Sequence, residues 1–244
     1  EHAGAGPSGR PALTAGDRPD RIPLSFAQQR MWFINQFDTS SPAYNIPMVV
    51  RLTGDLDVDA LTAAVTDVVT RHESLRTRFP LRDGEPVQEI LSPTAPMHAP
   101  DRGRGRKPPP GGAHPAGVGR LRRRRRRPAA RRLFSLDPTD HVLAVVVHHI
   151  SADGFSMAPL VRDVMIAYES RVHGRAPAWT PLPVQYADYT LWQRRLLGSE
   201  DDPGSLISRQ LAYWESRSRG CPNSSNCLPT VGVPHSSRSG GRPG

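Results

Sequence analysis

The residues best placed for chemistry in this 244-residue chain are His148-His149-Ile150-Ser151-Ala152-Asp153-Gly154. A neutral imidazole near pH 7 is suited to take a proton from an attacking amine or hydroxyl. Side chains alternate along a strand, so of two adjacent histidines at a strand end one can face a channel while the other faces the core. Asp153 would crowd the same point. The sequence therefore expects it in a buried ion pair that fixes the loop, with Gly154 turning the chain into a helix.

These residues need a strand before them and a helix after them. His141–Ile150 contains the longest apolar run, Val142–Val147, and reads as a strand covered on both faces. That run is far too short to cross a bilayer. A helix is predicted from Phe155 to His173, ended by Gly174 at C′, with Leu160, Val161, Val164, Met165, Tyr168 and Val172 on its buried face. Upstream, Ser25 and Gln28 have capping-box spacing for a helix over Phe26–Phe37. Asn45–Thr53 reads as a strand. Asp57 can cap a helix bearing Val58, Leu61, Val65, Val68 and Val69 at helical spacing. Leu75–Leu81 and Val87–Leu91 flank Arg82-Asp83-Gly84-Glu85, a hairpin signal. Val184–Trp214 reads as one aromatic-rich helical stretch. Glu1–Asp20 reads as linker, and order is expected to be lost beyond Ser218.

Four segments in a fixed order carry a family resemblance. H-H-x-x-x-D-G at 148–154 resembles the signature of the condensation domains of nonribosomal peptide synthetases and their chloramphenicol-acetyltransferase-like relatives. Ser25-Phe26-Ala27-Gln28-Gln29-Arg30-Met31-Trp32 looks like the family's first motif, and Arg71-His72-Glu73-Ser74-Leu75-Arg76-Thr77-Arg78-Phe79 like its second. Gln185-Tyr186-Ala187-Asp188-Tyr189, with Trp192, looks like the fourth. The resemblance covers Ile22–Ser92 and Leu133–Arg217. It implies an α/β fold: a chloramphenicol-acetyltransferase-like lobe with a mixed β-sheet flanked by helices, here with an incomplete second lobe.

By that resemblance, the amine of an acceptor aminoacyl group attacks the thioester of a donor, both carried on phosphopantetheine arms of carrier domains. His149 is then the residue at the reacting centre, either removing the amine proton or positioning the amine, while His148 is structural. Asp153 pairs with an arginine, the motif positions offering Arg30, Arg71 and Arg76. Gly154 serves backbone geometry and offers an amide to the oxyanion. Taken alone, Arg71-His72-Glu73 reads as a charge cluster at a helix C-terminus. The tyrosines and Trp192 of 186–192 read as packing, and His72 and His141 as ordinary surface or core residues. The implied partners are upstream and downstream carrier domains and an adenylation domain, with no nucleic acid and no membrane. No cofactor or metal is expected to bind directly, and the implied location is cytoplasmic. The chain is expected to be a fragment, lacking the family's fifth motif, and inactive by itself. Two other readings are a related acyltransferase acting on a hydroxyl or free amine, and a non-enzymatic nucleic-acid binder.

The second of these comes from the composition. Lys and Arg total 32 against 23 Asp and Glu, a net charge of +9 with a pI near 10.6, which by itself suggests a polyanion partner. However, 13 basic residues and one acid, Asp101, lie between Thr94 and Arg132, leaving 19 basic against 22 acidic residues elsewhere. That stretch has no apolar period. It contains Lys107-Pro108-Pro109-Pro110-Gly111-Gly112 and six arginines, Arg122–Arg127, without interleaved aromatics for base stacking.

An out-of-frame translation fits this stretch better than a phosphate-binding arm. Leu121–Pro128 can be encoded so that dropping one base reads F-D-V-A-A-D-D-P, and continuing through Ala129–Arg131 reads P-L-R. Both resemble the family's approach to its histidine strand. Cys221–Pro229 can likewise be encoded so that starting one base earlier reads L-P-E-Q-L-E-L-P-T, like the family's continuation after Tyr213-Trp214. The sequence thus predicts compensating shifts bracketing residues 94–131 and a third near residue 218. Cys221 and Cys227 would then be translation by-products, neither a metal pair nor a disulfide.

Overall fold

The computed structural model describes residues 10–37, 42–93, 101–104 and 129–219. Lys107–Gly112, Arg122–Arg127 and the two cysteines lie outside them. The chain divides into two compact units, residues 1–196 and 197–244.

The first unit is built on a four-stranded sheet ordered β2-β8-β7-β6. Its strands are β2 (Asn45–Thr53), β6 (Asp101–Arg104), β7 (Ala129–Asp137) and β8 (Asp140–His148). β8 pairs antiparallel with both β2 and β7, and β6 runs parallel to β7, so the sheet is mixed. β8 carries residues buried on both faces, as its apolar run requires. Val147 and Leu143 face helices α2 (Val58–Arg71) and α3 (Gly154–Val172), where Leu61, Val68, Val69, Leu160 and Val164 pack against them. Val142 and Ala144 meet Phe134 on the other face. A cavity of about 390 Å³ remains between this sheet and α2/α3, bordered chiefly by aliphatic side chains such as Met48, Val50, Val145 and Val164, and by Arg131.

A smaller sheet joins β1 (Ile22–Pro23), β3 (Thr77–Arg78), β4 (Leu81–Arg82) and β5 (Glu85–Ile90). The Asp-Gly turn forms as its sequence requires, with Asp83 at φ 51° and Gly84 at φ 86°. The strand expected before it starts late, because a 3₁₀ turn takes Glu73–Arg76, and it is broken at Phe79-Pro80 into β3 and β4.

Helix α1 (Phe26–Phe37) begins at the expected capping box: Gln28 N–H donates to Ser25 Oγ at 3.1 Å and Ser25 N–H to Gln28 Oε1 at 3.1 Å. Asp57 caps α2 through the amides of Asp59 and Ala60. Gly174, at φ 69°, ends α3 as expected.

Four expectations are corrected. The buried face of α3 is narrower than predicted: Leu160, Val164 and Tyr168 pack inward, whereas Val161, Met165 and Val172 are exposed. The fully buried positions of α3 are Asp163 and Ala167. Residues 184–214 form two helices, α4 (Tyr186–Leu197) and, in the second unit, α5 (Leu206–Ser218), because Gly198 takes φ 78° and Ser205 caps a new start. Strands β6 and β7 lie partly within the stretch read as having no apolar period, since backbone pairing between strands needs no side-chain period. The described part of the segment read as linker is largely exposed but tied down at two points: Trp192 Nε1–H donates to the Pro11 carbonyl at 2.8 Å, and Arg18 holds two carboxylates. Among the described residues no helix is long and apolar enough to cross a membrane.

Candidate active site

The histidine pair stands where β8 ends. Asn45 of β2 lies opposite His148, and one residue further on the His149 amide donates to the Tyr44 carbonyl at 2.7 Å. His148 lies on the face of β8 opposite the helices. It is half-buried, with Nδ1 accepting the Ile150 amide at 3.1 Å and Nε2 lying 3.0 Å from the Asn35 side-chain amide. Burial, with His149 close by, pushes the His148 pKa down, so the ring is neutral. His149 is exposed, and among the described residues its imidazole has no hydrogen-bond partner. Its backbone is nevertheless bound on both sides. Ser151 N–H also donates to the His148 carbonyl at 2.9 Å, and Gln28 Nε2 approaches the Ile150 carbonyl at 3.5 Å.

Asp153 is not in the expected ion pair. It is exposed and caps α3, accepting the Ser156 amide at 2.9 Å and the Ser156 hydroxyl at 2.6 Å, while its own amide donates to Ser156 Oγ. The Ser156 hydroxyl bond, then the Ser156 and Phe155 amides and the nearby His149, outweigh desolvation and hold its pKa below the usual carboxylate range. A carboxylate immediately before a helix is drawn to the unpaired amides of the first turn, and Ser at N3 completes the cap.

The candidate arginines are engaged elsewhere or free of carboxylates. Arg71 Nε donates to Asp163 at 3.0 Å and its NH1 to the Thr180 carbonyl, while its guanidinium lies 4.9 Å over Trp179. Arg76 binds the Leu91 carbonyl and lies 3.5 Å from Glu73. Arg30 is exposed and makes no ion pair among the described residues. Gly154 also departs from expectation. It is the first residue of α3 without a positive φ, and a Cβ there would meet nothing within 4 Å.

The other motifs assemble around this loop as a frame. Ser25 Oγ lies 2.9 Å from the Tyr186 hydroxyl, tying the first motif to the fourth. Gln185 ties the fourth to the second, donating to the Arg71 carbonyl at 2.9 Å and accepting the Glu73 amide at 3.2 Å. Arg18 bridges Glu73 at 2.7 Å and Asp188 at 2.8 Å. His72, expected to be ordinary, donates from Nε2 to Asp163 at 2.8 Å.

Sequence reasoning missed Asn35, Tyr44, Asp163 and Arg18. Only Asp163 carried a readable signal: a carboxylate on the inward stripe of an amphipathic helix must find a cation. Among the described residues no group of three or more His, Cys, Asp or Glu is arranged to hold a metal.

A mixed sheet, two covering helices and a histidine loop between strand and helix define a chloramphenicol-acetyltransferase-like lobe. The Condensation domain family matches residues 19–241, and the chain belongs to that family. It is 46% identical over 236 residues to a dimodular nonribosomal peptide synthase of Bacillus subtilis, covering 91% of this chain and 9% of that protein. It is 48% identical over 222 residues to an isonitrile lipopeptide synthase of Mycobacterium tuberculosis, covering 86% of this chain and 8% of that protein. The chain thus spans less than a tenth of either relative. Among solved structures it resembles the X-domain from teicoplanin biosynthesis, with 38% identity and a TM-score of 0.77 over 87% of this chain and 46% of that one. The starter condensation domain of rhizomide synthetase shares the fold, with a TM-score of 0.64 at 19% identity over 84% of this chain and 49% of that one.

Proposed function

We propose that this chain supplies the histidine-bearing lobe of an amide-forming condensation site in nonribosomal peptide synthesis. The observation that carries the reading is His149: an exposed imidazole without a hydrogen-bond partner among the described residues, on a backbone bound at its own amide and at the next one. The acceptor amine attacks the donor thioester carbonyl, forming the C–N bond. Collapse breaks the C–S bond, the carrier thiol leaves, and the amine gives up a proton. His149 either takes that proton or orients the amine for attack.

His148 holds the loop. Asp153 fixes the start of α3, and the Gly154 amide at that helix start is a donor suited to the oxyanion. Arg71 and Arg76 belong to the frame. Both substrates arrive on phosphopantetheine arms of carrier domains, with an adenylation domain loading them, and no other cofactor takes part. The site operates in the cytoplasm and is completed by a second lobe, so the lobe alone does not turn over.

The test replaces the corresponding half of an active condensation domain with residues 22–217 and supplies two loaded carrier proteins. Peptide product is expected, and its loss in His149→Ala. Undiminished product from His149→Ala would sink the assignment. Transfer to a hydroxyl or free amine in place of the carrier-bound amine would select the related acyltransferase reading.

A further inference from the structure

We propose that Asn35 is a positioning residue for His149, acting through His148: its amide oxygen accepts the Nε2–H of His148 and so holds the ring in the tautomer whose Nδ1 receives the Ile150 amide. The inference rests on His149 being the group at the reacting centre, and it adds a residue outside the histidine loop to the machinery that aims it.

The argument is one of donors and acceptors. The Ile150 N–H can only donate, so His148 Nδ1, 3.1 Å away, presents a lone pair. A neutral imidazole carries one N–H, which must then sit on Nε2. Among the described residues Nε2 meets Asn35 Nδ2 at 3.0 Å, and two N–H groups cannot face each other in a hydrogen bond. A half-turn of the amide about its terminal torsion puts the oxygen at the same point without moving the backbone. The ring then has an acceptor at one end and a donor at the other, and both are satisfied.

The consequence falls on the residue between. The His149 backbone is held at its own amide by the Tyr44 carbonyl at 2.7 Å and at the following amide by His148 Nδ1. If the proton moves to Nδ1, the second restraint becomes a clash of two N–H groups and the turn opens. The Asn35 oxygen is what disfavours that proton position. Among the described residues the titratable neighbours of His148 are His149 and Tyr44, whose ring lies 6.4 Å away, and neither is a carboxylate.

Long-range ¹H–¹⁵N correlation spectra of the 244-residue chain report the tautomer directly. The wild type is expected to show His148 protonated at Nε2. Asn35→Leu removes the acceptor and is expected to move His148 toward the Nδ1–H form and to shift the Ile150 amide. Asn35→Asp keeps an acceptor, so the tautomer stays and the His148 titration midpoint rises. In the chimeric condensation domain, Asn35→Leu is expected to lower kcat between about tenfold and a hundredfold with KM unchanged. Unchanged His148 and Ile150 signals in Asn35→Leu overturn the proposal. Should Asn35→Leu not fold, an unmoved titration midpoint in Asn35→Asp overturns it instead. Loss of the tautomer alongside a fully active His149→Ala would leave this coupling standing and refute the catalytic reading.

Discussion

Arg71 at the end of α2 and Asp163 in the middle of α3 form an ion pair at 3.0 Å, and His72 shares the same carboxylate oxygen at 2.8 Å. The Asp163 side chain is 4% exposed. The pair docks the second motif onto the helix that starts at the histidine loop. Removing one partner of a buried pair strands the other charge, which costs more than the pair itself contributes. Asp163→Asn keeps the shape and loses the charge, and is expected to destabilise the chain by about 3 kcal/mol in urea unfolding. A change under about 0.5 kcal/mol, ordinary for a surface substitution, would show that the pair does not hold α3.

Asp153 makes the opposite prediction, although it belongs to the signature. Its hydrogen bonds go to the first turn of α3 and not to an arginine. Asp153→Ala is therefore expected to cost about 1 kcal/mol, the ordinary value of an N-cap, and Asp153→Asn or Asp153→Ser much less. A loss of several kcal/mol in all three would restore the buried ion pair.

Gly154 separates folding from chemistry. Its φ is not left-handed and its Cβ position is open, so Gly154→Ala is expected to leave stability within about 0.5 kcal/mol of wild type. In the chimeric domain the same methyl stands beside the His149 loop, and product formation is expected to fall. Equal rates for wild type and Gly154→Ala would mean that no substrate atom approaches the start of α3.

Arg18 and Asp188 give a prediction in pH. Burial raises the Asp188 pKa, but the Arg18 guanidinium and the Gln185 amide more than offset that, and the net shift is downward from the model-compound value of 3.8. A carboxyl depressed in the folded state contributes stability above its unfolded pKa and loses it as the pH falls through the folded value. In Arg18→Ala the carboxylate stays buried without its cation, and its pKa moves up. The variant is expected to be less stable than wild type by about 2 kcal/mol at pH 7. That gap should narrow as the pH drops below about 4, where protonation relieves the variant and removes the wild-type advantage. A gap independent of pH between 7 and 3 would exclude the ion pair as its cause.

What could be read from the sequence follows from range. The Ser25–Gln28 box, the Asp57 cap, the Asp83-Gly84 turn and the Gly174 stop are set by neighbours within four residues, and all form. The apolar run of β8 likewise needs only its own composition. Partner choice over distance was not legible: Asp153 and Asp163 are ten residues apart, and only the turn of α3 places the second against Arg71. Asn35 offered no pattern, because a single amide near a helix end is ordinary until His148 is brought beside it. Arg18 was hidden for the same reason. Its surroundings are rich in Gly and Pro and have the composition of a linker, while the two carboxylates it binds lie 55 and 170 residues away.

The frame reading of residues 94–131 can be tested in the gene and in a chain expressed from the restored frame. Arg131 shares a face of β7 with Leu133, the face that packs toward α2, and it borders the 390 Å³ cavity between sheet and helices. Burial lowers the Arg131 pKa through desolvation. The shifted reading replaces Leu121–Pro128 by F-D-V-A-A-D-D-P, which carries no cation, and through Ala129–Arg131 it reads P-L-R, which keeps an arginine. The gene is therefore expected to show one-base displacements at both ends of codons 94–131 and another near codon 218, and unshifted DNA through both segments would sink the idea. A chain expressed from the restored frame should unfold at higher urea with a larger m-value, because it exposes more apolar surface on unfolding. It should also lose any salt-sensitive DNA binding that the six consecutive arginines confer on the chain as written.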